Sequence, residues 1–176
     1  MGDLKKLLAC LNTLDFHPKV DDFQDKLIIQ KTTCLLELLG LEFGYPFSIY
    51  IRGPYSPDLT RELYENREMV EKLQTNYSVE KREREKLSRL AQASDNLNPT
   101  MLEIMATYSF LTKSCEVESK EALVKLKRLK PFYSEAQIAV GVSRVKQLFF
   151  VPTEKEIKEM KTEFDEWDNA SNLSIG

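Results

Sequence analysis

Between residues 22 and 39 apolar side chains cover most of the circumference of one helix, and a chain with such a segment must build its fold around it. Phe23, Leu27, Cys34 and Leu38 trace one stripe at helical spacing, and Ile28, Leu35 and Leu39 widen it. Ile29 and Leu36 close much of the remaining surface. A helix that is apolar nearly all round is a buried one. Gly40 stands where a glycine in the left-handed conformation ends such a helix. The pattern is broken in its middle by Gln30-Lys31. A lysine is almost never fully buried without a partner. Lys31 therefore meets a carboxylate, a backbone carbonyl or a ring such as Tyr50 or Tyr55, or else runs its aliphatic stem out to water.

The other segments predict a mainly α chain around that helix. Leu4, Leu7, Leu8 and Leu11 give a first helix over 3–14, closed by His17-Pro18. Residues 46–52 alternate with period two, Phe47, Ile49 and Ile51 against Ser48, Tyr50 and Arg52, which predicts one short strand that Gly53-Pro54 breaks. Ser56-Pro57-Asp58 opens a helix, with serine as N-cap, proline at the first helical position and an acid in the first turn. Residues 69–79 fit either a helix or a second strand. Residues 79–94 are charge-dense and helical with thin apolar content, Val79, Leu87, Leu90 and Ala91, which suggests a solvated helix or a lid. Asn98-Pro99 starts another helix, with Leu102, Met105 and Phe110 inward, and Ser119 opens one carrying Leu123, Leu126 and Leu129. Ser134 and Gln137 form a capping box, with Tyr133 and Ile138 as its staple; Thr153 and Glu156 repeat the box before a stripe of Ile157, Met160, Phe164 and Trp167. The expected architecture is one compact multi-helix domain over 1–170, with one or two short β-strands near 46–52 and 69–79, and a frayed polar tail at 171–176.

At 176 residues, 42% hydrophobic and 30% charged, the chain can bury one sizeable core, and its net charge of −3 speaks against a protein dedicated to coating nucleic acid. Cys10, Cys34 and Cys115 are odd in number and widely spaced, which fits a reducing, cytoplasmic setting. His17 is the sole histidine, so a zinc site lacks ligands, and no cofactor is expected. No secretory signal is visible, and no apolar run reaches the roughly 18 residues of a membrane span. There is no Gly-x-Ser-x-Gly, no phosphate-cradling glycine loop and no His-Glu-x-x-His, so no enzyme activity is expected. Glu62, Glu65 and Glu68 read as one solvated helix face.

Two regions remain as binding candidates. Tyr50 to Pro57 joins an exposed strand face to a helix N-terminus. Arg52 supplies a planar fork for carboxylate or phosphate, and the tyrosines supply amphipathic contact area; the same residues equally fit a rigid corner in which Arg52 pairs with an internal acid and the tyrosines pack. The alternative is a nucleic-acid-associated regulator using locally basic faces, with Arg82, Arg84, Lys86 and Arg89 in one segment. Lys127 and Arg128 lie in the other, together with Lys120, Lys125 and Lys130. Interleaved Glu80, Glu83, Glu85 and Glu121 dilute both.

The run Lys26-Leu27-Ile28-Ile29-Gln30-Lys31, then Leu35-Leu36, then Tyr50-Ile51-Arg52-Gly53-Pro54-Tyr55-Ser56-Pro57-Asp58-Leu59 resembles the Panacea (SocA-type) antitoxin domain and the YwgA-like uncharacterised proteins of bacteria and archaea. In that family a Leu-Gln-Lys helix precedes a Tyr-x-x-Gly-Pro segment that opens the next helix. The match covers residues 22 to about 66. It implies a prokaryotic, compact helical domain that acts by binding protein partners, a cognate toxin among them, and implies no enzyme. Its signature positions here are Gln30, Lys31, Tyr50, Gly53, Pro54 and Tyr55. The sequence departs from the pattern at Thr32-Thr33-Cys34, and its acidic last helix lies outside the shared region. The functional expectation is a regulatory or antitoxin-like interaction module that uses these residues and Arg52.

Overall fold

The computed structural model describes residues 2–173, and among them are nine helices and one two-stranded antiparallel hairpin. Helix α1 (Leu4–Thr13) begins at Asp3, whose carboxylate accepts from Lys6 N at 2.9 Å. Helix α2 (Phe23–Leu38) begins at Asp22 in the same way, and Gly40 follows its end at φ +88°. Every residue of α2 from Ile28 to Leu36 is buried, Gln30 and Lys31 included. Strands β1 (Ser48–Tyr50) and β2 (Gly53–Tyr55) pair with Ser48 opposite Tyr55 and Tyr50 opposite Gly53. Helices α3 (Pro57–Glu65) and α4 (Arg67–Glu71) follow, then α5 (Lys81–Ala93), α6 (Pro99–Lys113), α7 (Ser119–Leu129), α8 (Glu135–Phe149) and α9 (Glu154–Leu173).

The centre of the molecule is α2 packed along α6, which is itself buried from Leu102 through Ser109. Two helices with buried middle turns leave the amphipathic ones to form a shell. Helix α8 lies against α6 at Gly141, where a Cβ would sit 2.3 Å from Ile104 Cγ2, so only a hydrogen fits between them. The capping box expected at Ser134 and Gln137 is made in both directions, at 3.1 and 2.9 Å. Helix α5 packs on α8 and α1 through Leu87, Leu90 and Ala93.

The structure departs from the sequence reading at several points. The second strand is Gly53–Tyr55, where a break was expected, and residues 69–79 hold the end of α4 followed by irregular chain. Ile51 sits in the hairpin turn at 88% exposure instead of facing inward with Ile49. Helix α5 is a packed shell helix rather than a lid, because its few apolar residues all fall on one face. Glu62 leaves the solvated face assigned to it: it is buried, accepts from Tyr45 OH at 2.7 Å and from Gly2 N at 3.0 Å. The last helix extends through Leu173, so residues 171–173 of the expected tail are helical and 174–176 lie outside the described residues. No residue of α9 is buried. The hydrophobic core ends with Leu148.

One buried polar group ties three helices together. Glu103 on α6 accepts from Lys130 Nζ, just past the end of α7, and its other oxygen accepts from Tyr133 OH at 2.6 Å, just before α8. Lys130 has no exposed surface and is therefore no part of a basic face. Burial of the ammonium lowers its pKa, while the Glu103 carboxylate works the other way. Removing one member of such a pair leaves the other charged without compensation. Glu103→Ala is expected to cost about 3–5 kcal/mol in urea unfolding, whereas Glu103→Leu combined with Lys130→Met and Tyr133→Phe recovers most of it.

Candidate functional site

The start of α2, the hairpin and α3 surround a cavity of about 490 Å³. Phe23, Lys26, Leu27, Gln30 and Lys31 line it from α2; Tyr50 through Gly53 and Tyr55 line it from the hairpin; Thr60 and Tyr64 close it from α3. Its volume falls in the range of ordinary ligand pockets, roughly 300–1,000 Å³. The walls are predominantly apolar and aromatic.

Gln30 builds the frame. Its amide oxygen accepts from Ser56 N at 2.9 Å and its amide nitrogen donates to Ser56 O at 3.0 Å and to Thr60 Oγ1 at 2.9 Å. A side-chain amide that meets both backbone groups of one residue holds that residue as a strand neighbour would. Ser56 then caps α3 by accepting from Leu59 N. The carboxamide in the middle of α2 thereby sets where α3 starts. Gln30 is 3% exposed and its polar atoms are spent inside the chain.

Lys31, one residue on, also stays inside. It is 3% exposed, and its Nζ donates to Pro54 O at 2.8 Å. Of the alternatives weighed for its partner, the backbone carbonyl is the one realised. An ammonium has three donors, and Pro54 O is its hydrogen-bonded acceptor among the described residues, so Lys31 is a buried cation with donor capacity left at the cavity wall. Burial pushes its pKa down to about 8; the Lys130 and Arg52 cations push the same way and Glu103 opposes them. Cys34, one turn further on, is pushed up to about 12 by burial, which keeps it a thiol and a poor nucleophile.

Gly53 is the point where the hairpin touches the core. Its φ of +91° is one that glycine adopts readily, and a Cβ there would lie 2.2 Å from Thr107 Oγ1 and 3.4 Å from Lys31 Nζ. Gly53 and Pro54 are both buried. They support the site from below, and the Pro54 carbonyl accepts from Lys31.

The rim is aromatic and cationic. The Arg52 guanidinium lies over the Phe23 ring, 4.8 Å from its centroid, and among the described residues it has no carboxylate partner. Lys26 Nζ stands 5.0 Å from the centroid of Tyr64 and donates to its hydroxyl at 2.6 Å. Tyr50 and Tyr55 meet edge to face at 5.3 Å. Phe23, Tyr50 and Tyr64 are about half exposed, at 59%, 48% and 47%. Six of the seven residues singled out in the sequence line this cavity, and Pro54 lies behind it, joined to Lys31 through its carbonyl. Gln30, Lys31, Gly53 and Pro54 form the floor and frame of the site, and Tyr50, Arg52 and Tyr55 its rim. Phe23, Lys26 and Tyr64 were missed; Phe23 read as a core residue because it continues the apolar stripe of α2.

The basic residues of the alternative reading are spread differently. Arg82, Arg84 and Lys86 lie along α5, and the Arg84 guanidinium donates to Val79 O at 3.3 Å. Arg89 donates to the carbonyls of Leu148 and Phe150, closing the end of α8. On α7, Lys127 pairs with Glu135 at 3.5 Å and Arg128 is exposed. His17 is exposed, 3.2 Å from Asp15, and among the described residues no cluster of His, Cys, Asp and Glu is placed to hold a metal ion. No helix of the described residues is long and apolar enough to cross a membrane. No protein-family model, curated protein or solved structure matches the chain.

Two outcomes test this geometry. A lysine whose folded pKa lies below its unfolded one carries fewer protons in the folded state, so its contribution to stability rises with pH between about 8 and 10.5. Cysteine and tyrosine side chains of the unfolded chain ionise in the same window, so the comparison is with Lys31→Met. The stability of wild type relative to that variant in urea unfolding is expected to rise by about 2 kcal/mol between pH 7 and 9.5. Gly53→Ala is expected to cost about 2 kcal/mol or more through its backbone conformation and the Thr107 clash, and Thr107→Ala in the same chain is expected to return part of it.

Proposed function

We propose that the chain is a non-enzymatic, regulatory binding module whose cavity receives an apolar segment of a partner protein bearing carboxylates. The observation that carries this reading is the rim guanidinium of Arg52, without a carboxylate partner among the described residues, set beside exposed Phe23 and Tyr50 over a cavity with the buried Lys31 ammonium in its wall. Half-exposed aromatics around a concavity are the composition of interface hot spots, where a partner's side chain is buried and water excluded. The cations supply selectivity: three positive groups, with no carboxylate among the described residues that line the cavity, favour an occupant that brings negative charge. Arg52 is suited to a bidentate carboxylate contact, and Lys26 to a point contact.

Catalysis would need a base, nucleophile or metal set held in mutual reach. At this cavity the ionisable side chains are two lysines, an arginine and tyrosines, and the nearby thiol of Cys34 is buried and held as a thiol. The resemblance of the Gln30-Lys31 and Tyr50–Tyr55 motifs to the antitoxin domain points to protein binding as well, with a toxin as one partner of the required kind. The reading places the module in the prokaryotic cytoplasm, where its reduced cysteines belong.

Selection of a random peptide library on the full chain is expected to enrich sequences that combine an aromatic residue with Asp or Glu. Arg52→Ala and Tyr50→Ala are each expected to weaken the enriched peptides about tenfold or more, corresponding to at least about 1.4 kcal/mol, with the melting temperature nearly unchanged. Peptides that bind these variants as well as wild type, or an enrichment with no acidic preference, would overturn the reading.

A further inference from the structure

Helix α9 presents a problem of its own. It spans 20 residues, and none of them is buried. Its apolar stripe is exposed throughout, with Ile157 at 39%, Met160 at 49%, Phe164 at 59% and Trp167 at 69%. Phe164 and Trp167 stand edge to face, 6.2 Å apart, as one aromatic wedge. Helices in proteins draw most of their stability from packing an amphipathic face, and within its own chain α9 packs none. The helix is also acidic, with seven carboxylates against three lysines. Glu163 lies one turn before Trp167 and Asp168 one turn after Phe164, so carboxylates flank the wedge on both sides.

These are the features that the hairpin cavity selects for. We propose that α9 of a second copy seats its Phe164–Trp167 wedge in the cavity, and that reciprocal exchange closes a two-fold dimer. This inference rests on the cavity being a site for acidic, apolar segments. The cavity's cations, Lys26 and Arg52, stand at the rim where Glu163 and Asp168 of the incoming helix arrive, and its exposed rings supply the apolar contact. Reciprocity uses both patches of each copy and leaves none to propagate a filament. Two α9 helices pairing with each other in parallel would instead bring Glu163 against the partner subunit's Asp168 at flanking positions, where like charges oppose association.

Trp167 is the chain's one tryptophan and reports directly. In a dilution series of the full chain, sedimentation is expected to pass from dimer to monomer, with Trp167 emission moving to the red along the same curve. Phe164→Glu is expected to give a monomer with water-exposed emission at every concentration. Arg52→Glu and Lys26→Glu are each expected to raise the dimer dissociation constant about tenfold or more, and added salt to raise that of the wild type. A dimer indifferent to both charge reversals overturns the proposal in favour of another contact of α9. A chain that stays monomeric overturns it too. If that monomer still binds the selected acidic peptides, the cavity reading stands without self-association; if it binds none, both fall.

Discussion

A buried ammonium held by a single backbone carbonyl is the constraint around which this molecule is arranged. Lys31 sits in the buried middle of α2 and donates to Pro54 O at 2.8 Å. That contact places the hairpin over α2, and the placement requires glycine at residue 53, where any Cβ would meet Thr107. Gln30 repeats the device one residue earlier by holding both backbone groups of Ser56. Two adjacent polar side chains in a buried helix thus dock a hairpin and start a helix. The β-pairing alone, three residues on each side, is too short to be stable by itself.

The cost of that device is electrostatic. Lys31 has Lys130 and Arg52 as cationic neighbours, and Glu103 is the buried carboxylate that opposes them. Glu103 is already engaged by Lys130 and Tyr133. Positive charge is therefore in excess on the inner side of the cavity, and the excess is a property of the fold rather than of any surface side chain. Lys31 and Lys130 against the single Glu103 carboxylate already make that inner side positive before Arg52 and Lys26 are counted. A ligand carboxylate would relieve a penalty that the free chain carries, which links the strain of the frame to the selectivity proposed for the rim.

Much of the frame was legible in the residues, and the reasons differ for what was not. The apolar circumference of α2, Gly40 beyond it, the Ser56-Pro57 start of α3 and the capping box at Ser134 are local signals, made and satisfied within a few residues. Strand β2 was hidden because Gly53-Pro54 is punctuation in most settings; here the glycine supplies a positive φ and the proline offers only its carbonyl. Glu62 and Lys130 read as solvated because helical spacing says which residues share a face and nothing of what covers that face. The partners that bury them, Tyr45 and Glu103, lie 17 and 27 positions away. Phe23 and Tyr64 joined the site for a related reason. A ring at the end of an apolar stripe looks like core until the packing shows that the stripe outruns its neighbours.

The same reasoning separates α9 from the other helices. A sequence stripe of Ile157, Met160, Phe164 and Trp167 has the periodicity of a shell helix, and α5 and α8 show what such stripes do when a core is within reach. The core closes at Leu148, and Phe150 and Val151 leave it exposed at 54% and 77%. Pro152 follows, without a donor to continue the preceding helix. The periodicity of α9 is therefore addressed to a surface that its own fold does not provide. A charged flank on each side of the wedge makes that surface a selective one, since a neutral apolar groove would leave Glu163 and Asp168 to lose water without compensation.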